Sequence, residues 1–108
     1  MIPDKGLQML GMAQRAGAVK SGEFMTENSV KDGSAFLVIV AEDASDNTKK
    51  KFHNMCDFYE VEIREYRDKD TLGHCIGKEF RASLAVTNEG LAAKIISIID
   101  QSRKDEVL

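Results

Sequence analysis

No apolar run in this sequence approaches the ~18 residues that a bilayer-spanning helix needs, so a membrane partner is not expected. Cysteine is scarce. The two residues, Cys56 and Cys75, form no CxxC and no disulfide scaffold. The start, Met1-Ile2-Pro3-Asp4-Lys5, lacks the basic-then-apolar layout of a signal peptide. The expectation is therefore a reduced, cytoplasmic chain, with a single Cys56–Cys75 bridge left open. Tryptophan is absent, proline occurs once, and there is no linker, internal repeat or low-complexity stretch. Positive charge is in deficit: 18 acidic side chains stand against 15 basic ones, a net charge of −3. That total argues against nucleic acid, whose binders usually carry a basic footprint. What is present suffices for one globular unit. At 108 residues and 43% hydrophobic, the chain can bury roughly two-thirds of its unfolded surface and is too apolar for disorder. We expect one domain over residues 1–101 and a polar, fraying tail over 102–108.

The periodicity predicts nine elements. Lys5 to Ala16 reads as a helix with Leu7, Leu10 and Ala13 inward and Gly17 as its stop. Ala18-Val19-Lys20 is a short extended piece. A second helix runs from a Ser21 cap to about Lys31, with Met25 and Val30 on a thin apolar face. Ala35 to Val40 is a strand buried on both faces. A third helix, capped by Ser45, Asp46 or Asn47, runs to about Phe58. Val61, Ile63 and Tyr66 alternate as a strand, and Asp70 to Ile76 is a short helix ending at Gly77. Lys78 to Arg81 is a loop, and Ala82 to Val86 is another buried strand. Thr87 or Asn88 caps a last helix with Leu91, Ile95 and Ile98 or Ile99 inward. Strands and helices that alternate in this way predict an α/β fold, a three-layer α/β/α sandwich around a mixed four-stranded sheet.

Catalytic signatures are missing: there is no P-loop, GxGxxG or GxSxG. His53 with Cys56, and His74 with Cys75, fall short of the four ligands of a zinc site, and no third group orients a Cys/His pair. Glu42-Asp43 and Asp68/Asp70 stand at helix starts, where capping explains them. Three features remain. Gly22 opens a helix whose free N–H groups suit phosphate, although a simple cap explains it as well. Gly77-Lys78-Glu79-Phe80-Arg81 joins two cations to an aromatic, a mixture that can hold phosphate and stack a base, unless Phe80 tucks into the core. Lys49-Lys50-Lys51 reads as a wet helix face.

Four separated motifs then become recognisable. They are Met9-Leu10-Gly11-Met12-Ala13-Gln14-Arg15-Ala16-Gly17 with Ser21-Gly22-Glu23; Val40-Ala41-Glu42-Asp43-Ala44-Ser45 with Asn47-Thr48-Lys49-Lys50; Leu72-Gly73 with Ile76-Gly77-Lys78-Glu79; and Ala85-Val86-Thr87-Asn88-Glu89-Gly90. Over about residues 6–100 the chain resembles small bacterial members of the ribosomal protein L7Ae/L30e family. The resemblance implies an L30e-like sandwich and binding of kink-turn RNA, a sharply bent duplex with sheared G·A pairs. It implies a contact at the start of the second helix, which falls on Gly22, Glu23, Phe24, Met25 and Asn28. A second contact, from the loop before the last strand, falls on Lys78, Glu79, Phe80 and Arg81. The chain departs from the family pattern in three places. Phe24 replaces a polar base reader, Met25 replaces Glu or Gln, and Asn28 replaces Lys, while Glu23 adds a negative charge.

The charge is unevenly spread. Asp57, Glu60, Glu62, Glu65, Asp68 and Asp70 face only Arg64, Arg67 and Lys69 within their segment, which accounts for the whole net deficit. A positive patch around Lys20, Lys31, Lys78 and Arg81 is thus compatible with the acidic total. The reading is an RNA-binding, ribosome- or ribonucleoprotein-associated protein, with Phe24 stacking on a base and Lys20, Lys31 and Arg81 holding phosphates. The alternative is a protein-interaction module on the same fold, with Phe24 and Met25 forming a weak homodimer contact. No cofactor or metal is expected, and no catalysis, since this length leaves no room for a methyltransferase domain beside an L7Ae-like one.

Overall fold

The computed structural model describes residues 4–106; residues 1–3 and 107–108, which bound the expected domain and tail, lie outside the described residues. The chain runs α1 (Lys5–Arg15), β1 (Val19–Ser21), α2 (Glu23–Lys31), β2 (Leu37–Val40), α3 (Asp46–Tyr59), β3 (Glu62–Glu65), α4 (Lys69–Cys75), β4 (Ser83–Val86) and α5 (Glu89–Glu106). Side-chain caps start four of the helices. Asp4 accepts from the Leu7 N–H, Ser45 from Thr48, Asp68 from Thr71 and Asn88 from Leu91.

The four strands form one mixed sheet in the order β1-β4-β2-β3. β4 pairs antiparallel with both β1 and β2, while β3 lies parallel to β2 at one edge. The continuous apolar runs settle which strands are central: Leu37–Val40 and Ser83–Val86 are buried at every position. Helices α2 and α3 cover one face, and α1, α4 and α5 cover the other, which completes the α/β/α sandwich. Leu10, Phe52, Leu72, Ile95 and Ile99 seal the helices onto the sheet and are inaccessible or nearly so. Truncating a side chain such as Phe52 to Ala would cost about 3–5 kcal/mol. Both cysteines are unpaired, and burial pushes each thiol up to about 11.

Three expectations are corrected. Ser21 is not the cap of α2 but the last residue of β1, opposite Leu84; Gly22 is the cap. The Gly22 N–H donates to the Ser83 carbonyl at 3.0 Å, so the sheet ladder claims Ser21 before the helix can. The buried face of α2 is Thr26, Ser29 and Val30, whereas Met25 is exposed. Helix α5 continues past Gln101 to Glu106. Tertiary contacts hold it there: Asp100 takes two hydrogen bonds from Arg64, and Arg103 donates to the Glu65 carbonyl.

Candidate nucleic-acid interface

The start of α2 has an unusual cap. Gly22 sits at φ 92° and ψ 160°, a region that glycine alone enters without strain. A non-glycine residue there would carry about 1–3 kcal/mol of strain. No side chain among the described residues caps the helix. The first-turn N–H groups therefore point outward with the positive end of the helix dipole, a ready site for a phosphate.

The 78–81 loop lies against this helix start. Arg81 Nε donates to Ser21 Oγ at 3.1 Å, one residue before Gly22. Gly22 in turn is tied to Ser83, two residues past Arg81. Segments some sixty residues apart in sequence thus form one surface at one end of the sheet. The loop is anchored from behind as well. Lys78 N–H donates to the Gly73 carbonyl at 2.8 Å, and Arg81 N–H to the Lys69 carbonyl at 3.1 Å. His74, Gly77, Lys78, Glu79 and Arg81 line an open hollow beside it.

Two aromatics stand out from this surface: Phe24 is 72% exposed and Phe80 62%. Of the two sequence readings of Phe80, the one that tucks it into the core is therefore wrong. Exposed aromatics beside cations are stacking platforms for bases. Met25, Asn28, Lys20, Lys78 and Glu79 are exposed on the same two segments and on β1. Arg81 is half-buried, and its guanidinium also donates to the Phe80 carbonyl at 2.6 Å, so it ties the loop to β1 as much as it offers charge.

Lys31 is not brought to this end. It closes α2, about 13 Å along the axis from Gly22, and its ammonium bonds Glu27 at 2.9 Å. The acidic segment is not wholly set apart either, because Asp68 and Asp70 open the helix that leads into the loop.

Sequence reasoning missed three supporting residues. Lys51 on α3 reaches Glu27 at 2.8 Å and Glu23 at 3.3 Å, which offsets the negative charge that Glu23 brings to the first turn. Hydrogen bonds from Lys51 and Lys31 hold the Glu27 carboxyl below its usual range, and Glu27 raises Lys51 in return. Ser21 receives Arg81, and Gly73 carries the loop. Each left a trace in the sequence, Lys51 in a lysine run, Ser21 beside Gly22 and Gly73 beside Leu72, but none of those traces pointed to its contact. Among the described residues no group of three or more His, Cys, Asp or Glu side chains gathers as a metal site, and no helix is long and apolar enough to cross a membrane.

Comparison with known proteins adds a second line of evidence. The family model described as "Ribosomal protein L7Ae/L30e/S12e/Gadd45 family" matches residues 4–96. The RNA-binding protein YlxQ of Bacillus subtilis is 42% identical over 92 residues, which span 85% of this chain and 92% of that protein. A solved protein of unknown function from Bacillus halodurans superposes with a TM-score of 0.88 at 34% identity, covering 91% of this chain and 99% of that one. The Giardia lamblia 15.5kD RNA binding protein superposes with a TM-score of 0.73 over 94% of this chain and 90% of its own; at 20% identity that likeness concerns the fold alone.

Proposed function

The chain belongs to the ribosomal protein L7Ae/L30e/S12e/Gadd45 family, and from that membership we propose that it is an RNA-binding protein that recognises structured RNA of the kink-turn type. The observation that carries this reading is the pair of ties, Arg81 to Ser21 and Gly22 to Ser83, that makes the α2 start and the 78–81 loop one surface. The roles follow from the chemistry. The uncapped N–H groups after Gly22 donate hydrogen bonds to a phosphate. Lys20, Lys78 and Arg81 supply positive charge to the backbone, and Lys31 acts only at the far rim. Phe24 and Phe80 stack on unpaired bases at the bend, with Met25 beside them, and Asn28 hydrogen-bonds a base edge. Shape and stacking then replace part of the polar base reading that Phe24 and Met25 displace. Glu23 and Glu79 limit affinity. A ribosomal or other ribonucleoprotein setting in the cytoplasm suits this role and the two free thiols.

The test is a titration of a fluorescent kink-turn RNA and a plain duplex of equal length, at several salt concentrations. Tighter binding to the kink-turn is expected, with log affinity falling linearly in log salt. Equal, weak binding to both would overturn kink-turn recognition. An affinity indifferent to salt would remove the phosphate contacts. Dimerisation that Phe24→Ala abolished, without RNA binding, would favour the interaction-module reading instead.

A further inference from the structure

The opposite end of the molecule carries a second surface with different chemistry. The register fixes the two ends: Val40 pairs with Ser83 beside Gly22, whereas Leu37 pairs with Val86 and with Glu62 at the far end. Helix α3 ends there, and its last turn exposes Phe58 (79%) and Tyr59 (42%). Their rings meet edge to face with centroids 4.9 Å apart, which holds both in place without burying either. Asp57 and Glu60 flank the pair, and neither has a cationic partner among the described residues. Glu60 adopts a left-handed conformation as the cap of α3, which turns the chain toward β3. Beside it an open groove runs between α3 and β3, lined by His53, Asp57, Glu60, Glu62 and Arg64.

We propose that this aromatic pair and its flanking carboxylates form a docking surface for an arginine- or lysine-rich segment of a partner protein. Charge complementarity selects that occupant. A cation can lie over the Phe58 or Tyr59 ring and pair with Asp57 or Glu60 in one step. RNA is disfavoured, because its phosphates would meet unpaired carboxylates. A second copy of this chain would bring the same negative charge. Pairing through the edge strand β3 is hindered as well, since Arg64 occupies the Ile63 carbonyl at 2.8 Å and Arg103 the Glu65 carbonyl. The protein would then join RNA at one end of its sheet to a basic protein segment at the other. That bridging role rests on the RNA reading above, but the docking surface does not.

A fluorescein-labelled peptide of alternating arginine and glycine, six arginines long, is a suitable probe, measured by anisotropy against a glutamate counterpart. The arginine peptide should bind and the glutamate peptide should not. Asp57→Asn with Glu60→Gln should weaken binding about fivefold or more, and Phe58→Ser about threefold. The control pair Asp105→Asn with Glu106→Gln removes the same charge elsewhere and should have less than about a twofold effect. Far-ultraviolet circular dichroism checks that each variant is folded. Equal losses in the test and control pairs would reduce the effect to bulk charge and overturn the proposal, as would no binding. A loss of RNA affinity in Phe58→Ser would assign the aromatics to the RNA surface, also against it. Unchanged peptide binding by Phe80→Ala, whose RNA affinity is expected to fall, separates the two sites; if RNA binding itself failed, the peptide result would stand alone.

Discussion

Gly73 lies so close under Glu79 that a Cβ on Gly73 would stand 2.2 Å from the Glu79 carbonyl oxygen and 2.7 Å from its carbonyl carbon. Both are backbone atoms, so only movement of the loop relieves the clash. The Gly73→Ala variant should therefore displace residues 78–81, lose about 1–3 kcal/mol of stability and weaken RNA binding about tenfold, the equivalent of one lost stacking contact. Urea midpoints and an RNA titration read the two effects. Unchanged affinity would mean that the loop takes no part in binding.

The two exposed phenylalanines and Lys78 should separate by mechanism. Phe24→Ala and Phe80→Ala each remove a stacking platform and should cost about 1–3 kcal/mol of RNA affinity, with the salt slope unchanged. Lys78→Ala should reduce the slope of log affinity against log salt by about one. A slope change in the phenylalanine variants, or none in Lys78→Ala, contradicts these roles.

The nine elements and their order are legible in the sequence because their causes are local. Leu37–Val40 and Ser83–Val86 are continuous apolar runs, and Ser45 and Asn88 each bond an N–H three residues on. What fails is what depends on distant partners. Ser21 looks like a helix cap until Ser83 takes the next N–H for the sheet. The residues after Gln101 look like a frayed tail because Glu65, whose carbonyl takes a hydrogen bond from Arg103, lies far back in the chain. Lys51 looks solvated because both of its carboxylates sit on another helix. The two halves of the RNA surface were legible singly, as a glycine at a helix start and a cationic aromatic loop. Their adjacency was not, since it depends on β1 and β4 pairing.

Lys51 should matter to RNA binding through Glu23. Removing its ammonium leaves the Glu23 carboxylate uncompensated at the helix start, so Lys51→Met should weaken RNA binding about threefold to fivefold. Adding Glu23→Gln to that variant should restore most of the loss, a coupling that a double-mutant cycle measures. If Lys51→Met instead lowered the salt slope by one, and Glu23→Gln restored nothing, Lys51 would be a direct phosphate contact.

Thr26 Oγ1 and Ser83 Oγ are buried hydroxyls with no hydrogen-bond partner among the described residues. Such a group carries a desolvation cost of about 1–3 kcal/mol. Thr26→Val keeps the branched shape and removes the hydroxyl, so it should be neutral or raise stability by up to about 1 kcal/mol. A higher urea midpoint at constant slope is the expected reading. A loss above about 1 kcal/mol would mean that Thr26 Oγ1 has a partner in solution, such as a bound water.

The Arg64–Asp100 pair, which fixes α5 to the edge strand, should show its contribution in the pH dependence of stability. Arg64 Nε and Nη2 donate to Asp100 at 2.9 and 3.0 Å and hold its carboxyl below the usual range. In the unfolded chain that carboxyl returns to about 3.9. Between the two values the unfolded state binds more protons, so stability falls as the pH drops through that window and is complete above it. With 43% of the Asp100 side chain exposed, water screens the pair, and its contribution at neutral pH is at most about 1 kcal/mol. Glu65 and Asp68 are lowered by their own hydrogen bonds, from His53 and Thr71, so the wild-type protein loses further stability in the same acid range. Comparison with Asp100→Asn isolates the one pair. The variant should have the lower urea midpoint at pH 7, and the gap should close as the pH falls below the usual carboxylate range and Asp100 protonates in the wild-type protein. A gap that stayed constant across that range would mean that Asp100 holds α5 by packing or neutral hydrogen bonds rather than by charge.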